Sequence, residues 1–338
     1  MDNNIYVKRN IIGLAPGSIN SSGTEEPSIK LTSYGEKGCR ETTILAGGTD
    51  VLDGLLALLT VADYDKHWVS VVGQMHGKTI ERMQKIFNLN PLLCEDIVNT
   101  DQRPKFESYD ECNAIFLRAM HRVASYQVAI VVINGIVISF SELAMFSPLE
   151  DRIRTSKGKI RRKGHEYLVY AIMDVIIDGY FVTLERLGRS IDGMEPHIIA
   201  ATNDDMLPDL HDLKKSVMLV RRAVIPARDV TLVTMREMGD TDKEYFRDLQ
   251  DHAQRVVESV DGYRDMLTGL QEMYMSSMGN RLNKIMKVLT LISAVFIPIT
   301  FVTGFFGMNF VRLNPVYSDS NMYYATLATM VFKVKKWM

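Results

Sequence analysis

Cysteine is scarce: Cys39, Cys94 and Cys112 are the only three. An odd, widely spaced set supports neither a disulfide framework nor a zinc site, and it suits a reducing compartment. Charge of one sign is also lacking. With a formal net charge of −2, no overall basic field is available to recruit nucleic acid, so no nucleic-acid partner is expected. The segment Met1–Asn10 lacks the charged-then-apolar pattern of a secretory signal, so a large N-terminal part is expected to stay in the cytosol. Catalytic patterns are missing too. Gly47-Gly-Thr-Asp50 has no Lys-Ser/Thr after it to make a phosphate loop, and His165-Glu166 has no second histidine at zinc-protease spacing. Arg161-Arg-Lys163 reads as a solvated basic turn. No nucleophile–base set is visible, and no enzyme is expected.

What is present falls into two patterns. Residues 1–40 are rich in Gly, Ser, Asn and Thr and read as a loose tail. From Cys39 to Ser141, strand and helix signals mix. His67–Val72 and Ala114–Leu117 read as strands, and Val128–Ile133 and Ile136–Phe140 flank Asn134-Gly135, a strong hairpin signal. Lys78–Phe87 is spaced as a helix through Ile80, Met83 and Phe87. These signals predict a small α/β region over residues 1–147. After Pro148 the strand signals stop. Leu149–Lys159, His165–Ile191 and Leu207–Val224 read as helices within 148–241, the third broken by Pro226.

Proline is then absent from Asp242 until Pro298, and the pattern predicts one helix from about Asp242 to Phe306. At 1.5 Å per residue such a helix is on the order of 90 Å long. It cannot stand alone in water, so it needs a bundle or an oligomer around it. Its last 19 residues, Val288–Phe306, carry no charge, which is enough to cross about 30 Å of hydrocarbon. Lys284 and Lys287 precede the run, and Lys333-Val-Lys-Lys-Trp337 closes the chain. Basic flanks at both ends of an apolar hairpin place both termini in the cytosol. The implied layout is a stalk over 242–287, a first transmembrane helix over 288–306, an outer loop over 307–314, a second transmembrane helix over 315–332 and a basic tail over 333–338.

Gly307-Met308-Asn309 follows the first span directly. Together with Pro91–Ile97, Gln102–Glu107, Tyr245–Asp248, Met286–Thr290 and the closing Lys-Lys-Trp, this tripeptide resembles the signature of the CorA family of magnesium and cobalt channels. The resemblance implies an α+β cytosolic domain (an α/β/α sandwich), a long stalk helix running into a two-span hairpin, and a funnel-shaped homopentamer in the inner cell membrane. It implies transport of hydrated Mg²⁺, with Co²⁺ or Ni²⁺ as further possible cargo.

Mg²⁺ gives up water reluctantly, so a ring of Asn309 carboxamides that accepts hydrogen bonds from the ion's water shell suits it. Gly307 lets the backbone turn as the helix ends. Met286, Leu289, Ser293, Ile297, Thr300 and Gly304 share one helical face. By resemblance that face lines the pore, with Asn283 just below it; Met286, Leu289 and Ile297 would be dewetting constrictions and Thr300 a hydroxyl ring. The resemblance also implies a regulatory Mg²⁺ site between subunits, held by Asp96, Asp248 and Glu95, with either Asp174 or Asp178 joining a second cation site.

The end of the chain departs from the family pattern. The uninterrupted apolar stretch is only Met322–Phe332. A helix started at Pro315 would reach roughly 27 Å, enough to cross with little tilt. Two rival readings remain. One is a transporter of Co²⁺, Ni²⁺ or Zn²⁺ on the same scaffold, disfavoured because no His or Cys lies along the pore face. The other is a non-conducting, membrane-anchored cation sensor or scaffold.

Overall fold

The computed structural model describes residues 27–45, 64–200, 206–238 and 242–307, together with Gly17, Ile19, 54–55 and 58–59. The chain divides into two compact units, one from residues up to Gly193 plus Leu207–Thr268, the other from Met194–Met206 plus the chain from Gly269 onward.

In the first unit, seven strands form one sheet in the order β2-β1-β3-β7-β6-β5-β4. They are β1 (Ser28–Gly35), β2 (Gly38–Leu45), β3 (Lys66–Val72), β4 (Lys105–Ser108), β5 (Cys112–His121), β6 (Ala124–Ile133) and β7 (Ile136–Ser141). Among the described residues, only the β3–β7 pairing is parallel. Asn134 (φ 49°) and Gly135 (φ 77°) both take positive φ between β6 and β7, the primed turn that matches strand twist. The tail expected over residues 1–40 is overturned from Ser28 onward. Ile29 and Leu31 point inward from β1 into the core, and that period of two makes a strand despite Lys30 between them.

Alternation on β6 shows why the sheet is covered on both faces. Ala129, Val131 and Ile133 join one core cluster, while Val128, Ile130 and Val132 are also buried. The first face carries α1 (Gly77–Phe87) and α2 (Pro91–Val98). As its spacing predicts, α1 buries Ile80, Met83 and Phe87, and it stops at Asn88 in the left-handed conformation. After α3 (Ser147–Arg154) come α4 (His165–Ala200), α5 (Leu207–Met238) and α6 (Lys243–Gly307). Helix α5 packs on β4, β5 and β6, and Tyr180 of α4 donates to the Arg118 carbonyl of β5. Helices on both faces of a sheet are the expected sandwich.

Three helix boundaries differ from the sequence reading: α3 stops at Arg154 instead of running to Lys159, the chain leaving the helix as Ser156 takes a positive φ of 56°. Pro226 does not break α5, which runs through to Met238, and α4 continues through Pro196 to Ala200. An interior proline costs about 3 kcal/mol. Val217, Val220, Val224 and Val230 are buried along α5, and each such side chain contributes roughly 1.5–3 kcal/mol. Burial outweighs the lost hydrogen bond.

The 65-residue α6 matches the long helix read from the sequence and passes through Pro298. In the first unit it buries Phe246, Leu249, Ala253, Val256 and Val260 at the three-and-four spacing of a single stripe. In the second unit Leu270, Tyr274 and Val302 are buried, but much of its apolar surface is bare, including Leu282, Ile285, Met286, Val288, Leu289, Phe296, Ile297 and Phe301. Among the described residues, two helices are long and apolar enough to span a membrane, and burial separates them: the apolar window of α4 is 67% buried, that of α6 only 6%. Helix α4 is therefore a core helix. The far half of α6 has the all-round apolar surface of a helix meant for lipid or for neighbouring helices.

Candidate functional site: a polar-lined helix face and an acidic cluster

The candidate pore face lies on the second unit's part of α6. At about 100° per residue, Asn283, Met286, Leu289, Ser293, Ile297, Thr300, Gly304 and Gly307 fall within an arc of about 120°. All are exposed except Ser293, which is half-buried. Thr300 Oγ1 donates to the Phe296 carbonyl at 2.8 Å. With its proton so engaged, the hydroxyl offers only acceptor lone pairs to anything beyond, the polarity that suits the outward-pointing hydrogens of a cation's water shell. Met308 and Asn309, the second span and the basic tail lie outside the described residues.

The acidic residues belong to the first unit. On α2, Asn90 accepts from the Leu92 N–H at 2.9 Å and Pro91 occupies the first turn. Burial of Leu93, Cys94 and Ile97 then turns Glu95 and Asp96 toward the helix's outer side. Both already have partners within the chain. Asp96 accepts from Gln102 Nε2 at 2.6 Å and pairs with Lys105 Nζ at 2.6 Å, and Glu95 accepts from the Gly17 N–H at 2.6 Å. Lys105 also holds Glu107, and these carboxylates keep the ammonium protonated above its usual range against its desolvation. A cation at Asp96 has to compete with that lysine.

Asp248 lies on α6, exposed, with His252 Nε2 3.7 Å from its carboxylate. The structure brings His252 together with Asp174 and Asp178 of α4: one ligand atom from each lies within 4.8 Å of the others. Both acidic residues meet at this cluster, so the sequence's choice between them does not arise. Burial, then the charge of Asp178, lifts the Asp174 carboxyl to about 6; Arg152 and His252 pull it down, and Asp248 adds to the rise. His252 Nδ1 is buried with no hydrogen-bond partner among the described residues. Crowded carboxylates beside an unpartnered imidazole nitrogen are a donor set that a divalent cation would satisfy. Sequence reasoning missed His252, although Asp174/Asp178 and Asp248/His252 are each four residues apart, the spacing that puts two side chains on one helix face.

Residues 65–334 match the family described as CorA-like Mg²⁺ transporter protein. The chain belongs to the CorA-like family. It is 32% identical to the cobalt/magnesium transport protein CorA of Thermotoga maritima, over 96% of this chain and 97% of that one. It is 23% identical to the zinc transport protein ZntB of Photorhabdus laumondii, over 61% of this chain and 64% of that one. The CorA magnesium transporter structure from Methanocaldococcus jannaschii shares the fold, with TM-score 0.72, 20% identity, and coverage of 91% of this chain and 95% of that one. The CorA-like match runs from β3 past the end of α6 and so takes in both the acidic cluster and the candidate pore face.

Proposed function

We propose that this chain is a divalent-cation channel subunit that passes hydrated Mg²⁺ through a homopentameric pore in the cell membrane. The observation that carries the reading is the exposed far half of α6. Lipid and neighbouring copies would cover its apolar surface, leaving the Asn283–Gly304 face toward a central axis. Membership of the CorA-like family and identity to the Thermotoga protein support the class and the cargo. The lack of His or Cys among residues 283–307 favours a hard, hydrated ion over Zn²⁺. Co²⁺ and Ni²⁺ keep water shells of similar size and are the expected secondary cargo.

The pathway begins at an outer ring of Gly307, Met308 and Asn309. Asn309 carbonyls accept hydrogen bonds from the ion's waters, so the ion is recognised without paying for dehydration. Thr300 offers further acceptors. Ile297, Leu289 and Met286 form apolar constrictions that close by dewetting, and Ser293 and Asn283 re-wet the path between and below them. The second span, from about Pro315 to Phe332, returns the chain so that both termini are cytosolic.

Gating follows from the acidic cluster. Mg²⁺ held by the carboxylates of Asp174 and Asp178 beside His252, and by Asp248, Asp96 and Glu95 at the subunit boundary, cancels carboxylate repulsion and favours the packed, closed ring. Loss of Mg²⁺ restores the repulsion and loosens it. The test of the collar is Asn309→Ala. It should assemble as the native pentamer by native mass spectrometry in detergent, yet lose selective Mg²⁺ uptake. Native-level uptake by the assembled variant would refute the collar.

A further inference from the structure

In the basic turn Arg161-Arg-Lys163 only Arg162 is exposed; Arg161 and Lys163 are half-buried and engaged within the fold. Within the loop from Thr155 to Gly164, Arg161 Nε donates to the Ile153 carbonyl at 2.7 Å and its Nη2 to the Arg154 carbonyl at 2.8 Å. Lys66 Nζ in turn donates to the Arg161 carbonyl at 3.0 Å. The loop is thereby fixed to the end of α3 and to β3. From that mount two lysines reach the start of α6. Lys163 Nζ meets Asp242 Oδ1 at 2.7 Å, and the Asp242 side chain is only 1% exposed. The Asp242 carbonyl accepts the Tyr245 N–H at 3.0 Å, so this buried residue also opens the helix. Lys159 Nζ donates to Tyr245 Oη at 2.8 Å, and both lysines lie over the Tyr245 ring.

Tyr245 is the next link. Its ring meets Tyr167 of α4 edge-on at 5.0 Å and Tyr170 at 5.3 Å, and Tyr170 also contacts Phe246. Tyr170 stands one turn before Asp174 on α4, and Tyr245 stands one turn before Asp248 on α6. The aromatic contacts thus join the two helices immediately before the acidic cluster, and the lysines hold the α6 side of that joint.

We propose that Lys163 and Asp242, assisted by Lys159, are positioning residues for cation sensing: they set where α6 begins against α4, and so bring His252 and Asp248 to Asp174 and Asp178. The proposal rests on the sensing role given to that cluster. The Lys163–Asp242 pair carries most of the effect. An exposed lysine such as Lys159 contributes little, whereas a buried carboxylate deprived of its cation is strongly unfavourable.

The experiment is Mg²⁺-dependent protection of the full-length chain from protease in detergent. Lys163→Met should raise the Mg²⁺ concentration for half-protection by about fivefold or more, the scale of a coupled site, and Lys163→Arg should return it toward the native value. The double variant Lys163→Met/Asp242→Asn leaves no buried charge unpaired, and it gives the same readout if the single variant does not fold; the same upward shift is expected. In an Asp174→Asn background, Lys163→Met should add nothing, because the site it positions is already lost. An unchanged Mg²⁺ dependence in a folded variant, or equal shifts with and without Asp174, would overturn the positioning role. If Asp174→Asn alone leaves protection unchanged, the sensing role fails and the proposal fails with it.

Discussion

Protons should compete with Mg²⁺ at the acidic cluster, and the structure sets the size of the effect. Asp174 titrates near 6 where an ordinary aspartate has 3.8, because it is partly buried and faces Asp178 and Asp248, with Arg152 and His252 as the opposing influences. The sign follows from the direction. A raised folded-state value stabilises the protonated fold below about pH 4, and that contribution is lost as pH rises through about 6. At about 1.4 kcal/mol per unit, discounted for the exposure of the group, the ionised carboxylate weakens the empty site by on the order of 1–2 kcal/mol, and a bound cation relieves this. Below pH 6 a proton must leave before the cation binds. The competition factor is about elevenfold at pH 5 and close to one at pH 7.5. Half-protection from protease should therefore need about tenfold more Mg²⁺ at pH 5 than at pH 7.5. A His252→Gln background removes the imidazole from the comparison, and Asp174→Asn should flatten what remains. An equal pH dependence in the Asp174→Asn protein, or none in the parent, would refute the assignment.

Two further outcomes are expected. Ile297, 67% exposed on the candidate pore face, should act as a dewetting gate, so Ile297→Asn should admit Mg²⁺ at cytosolic Mg²⁺ levels that shut the native channel; preserved inhibition in a radiotracer or dye uptake assay would remove Ile297 from the gate. The second span should cross the membrane. Lys336→Cys in a background lacking Cys39, Cys94 and Cys112 should resist a membrane-impermeant thiol reagent applied to intact cells, and labelling there would place the tail outside and defeat the two-span topology.

Much of the fold was legible because its periodicities are strong. His67–Val72 is a short valine-rich strand run, Asn134-Gly135 marks a hairpin turn, and the run from Asp242 contains no proline until Pro298. The β1–β2 hairpin was not read, since Lys30, Thr32 and Ser33 between Ile29 and Tyr34 mask a strand pattern that only tertiary burial makes decisive. The run through Pro226 was missed for the converse reason: local chemistry predicts a break, and a buried valine stripe overrides it. At the site, helical spacing alone puts Met286, Leu289, Ser293, Ile297, Thr300 and Gly304 on one face; the proposal that this face lines a pore comes from the family resemblance. The joining of Asp174, Asp178 and His252 depends on how α4 packs against α6, which no spacing within one helix reveals. The partners of Asp96 and Glu95 were hidden likewise, because Lys105 and Gly17 reach them through the tertiary fold.

The most direct test of the central claim is ion flux into liposomes containing only the purified chain. With Mg²⁺, Co²⁺, Ni²⁺ and Zn²⁺ offered separately, the account predicts rapid Mg²⁺ entry, entry of Co²⁺ and Ni²⁺, little Zn²⁺ entry, and slowing of Mg²⁺ flux when Mg²⁺ is present on the side of the cytosolic domain. Absence of any divalent flux from correctly inserted protein, or a clear preference for Zn²⁺, would contradict it.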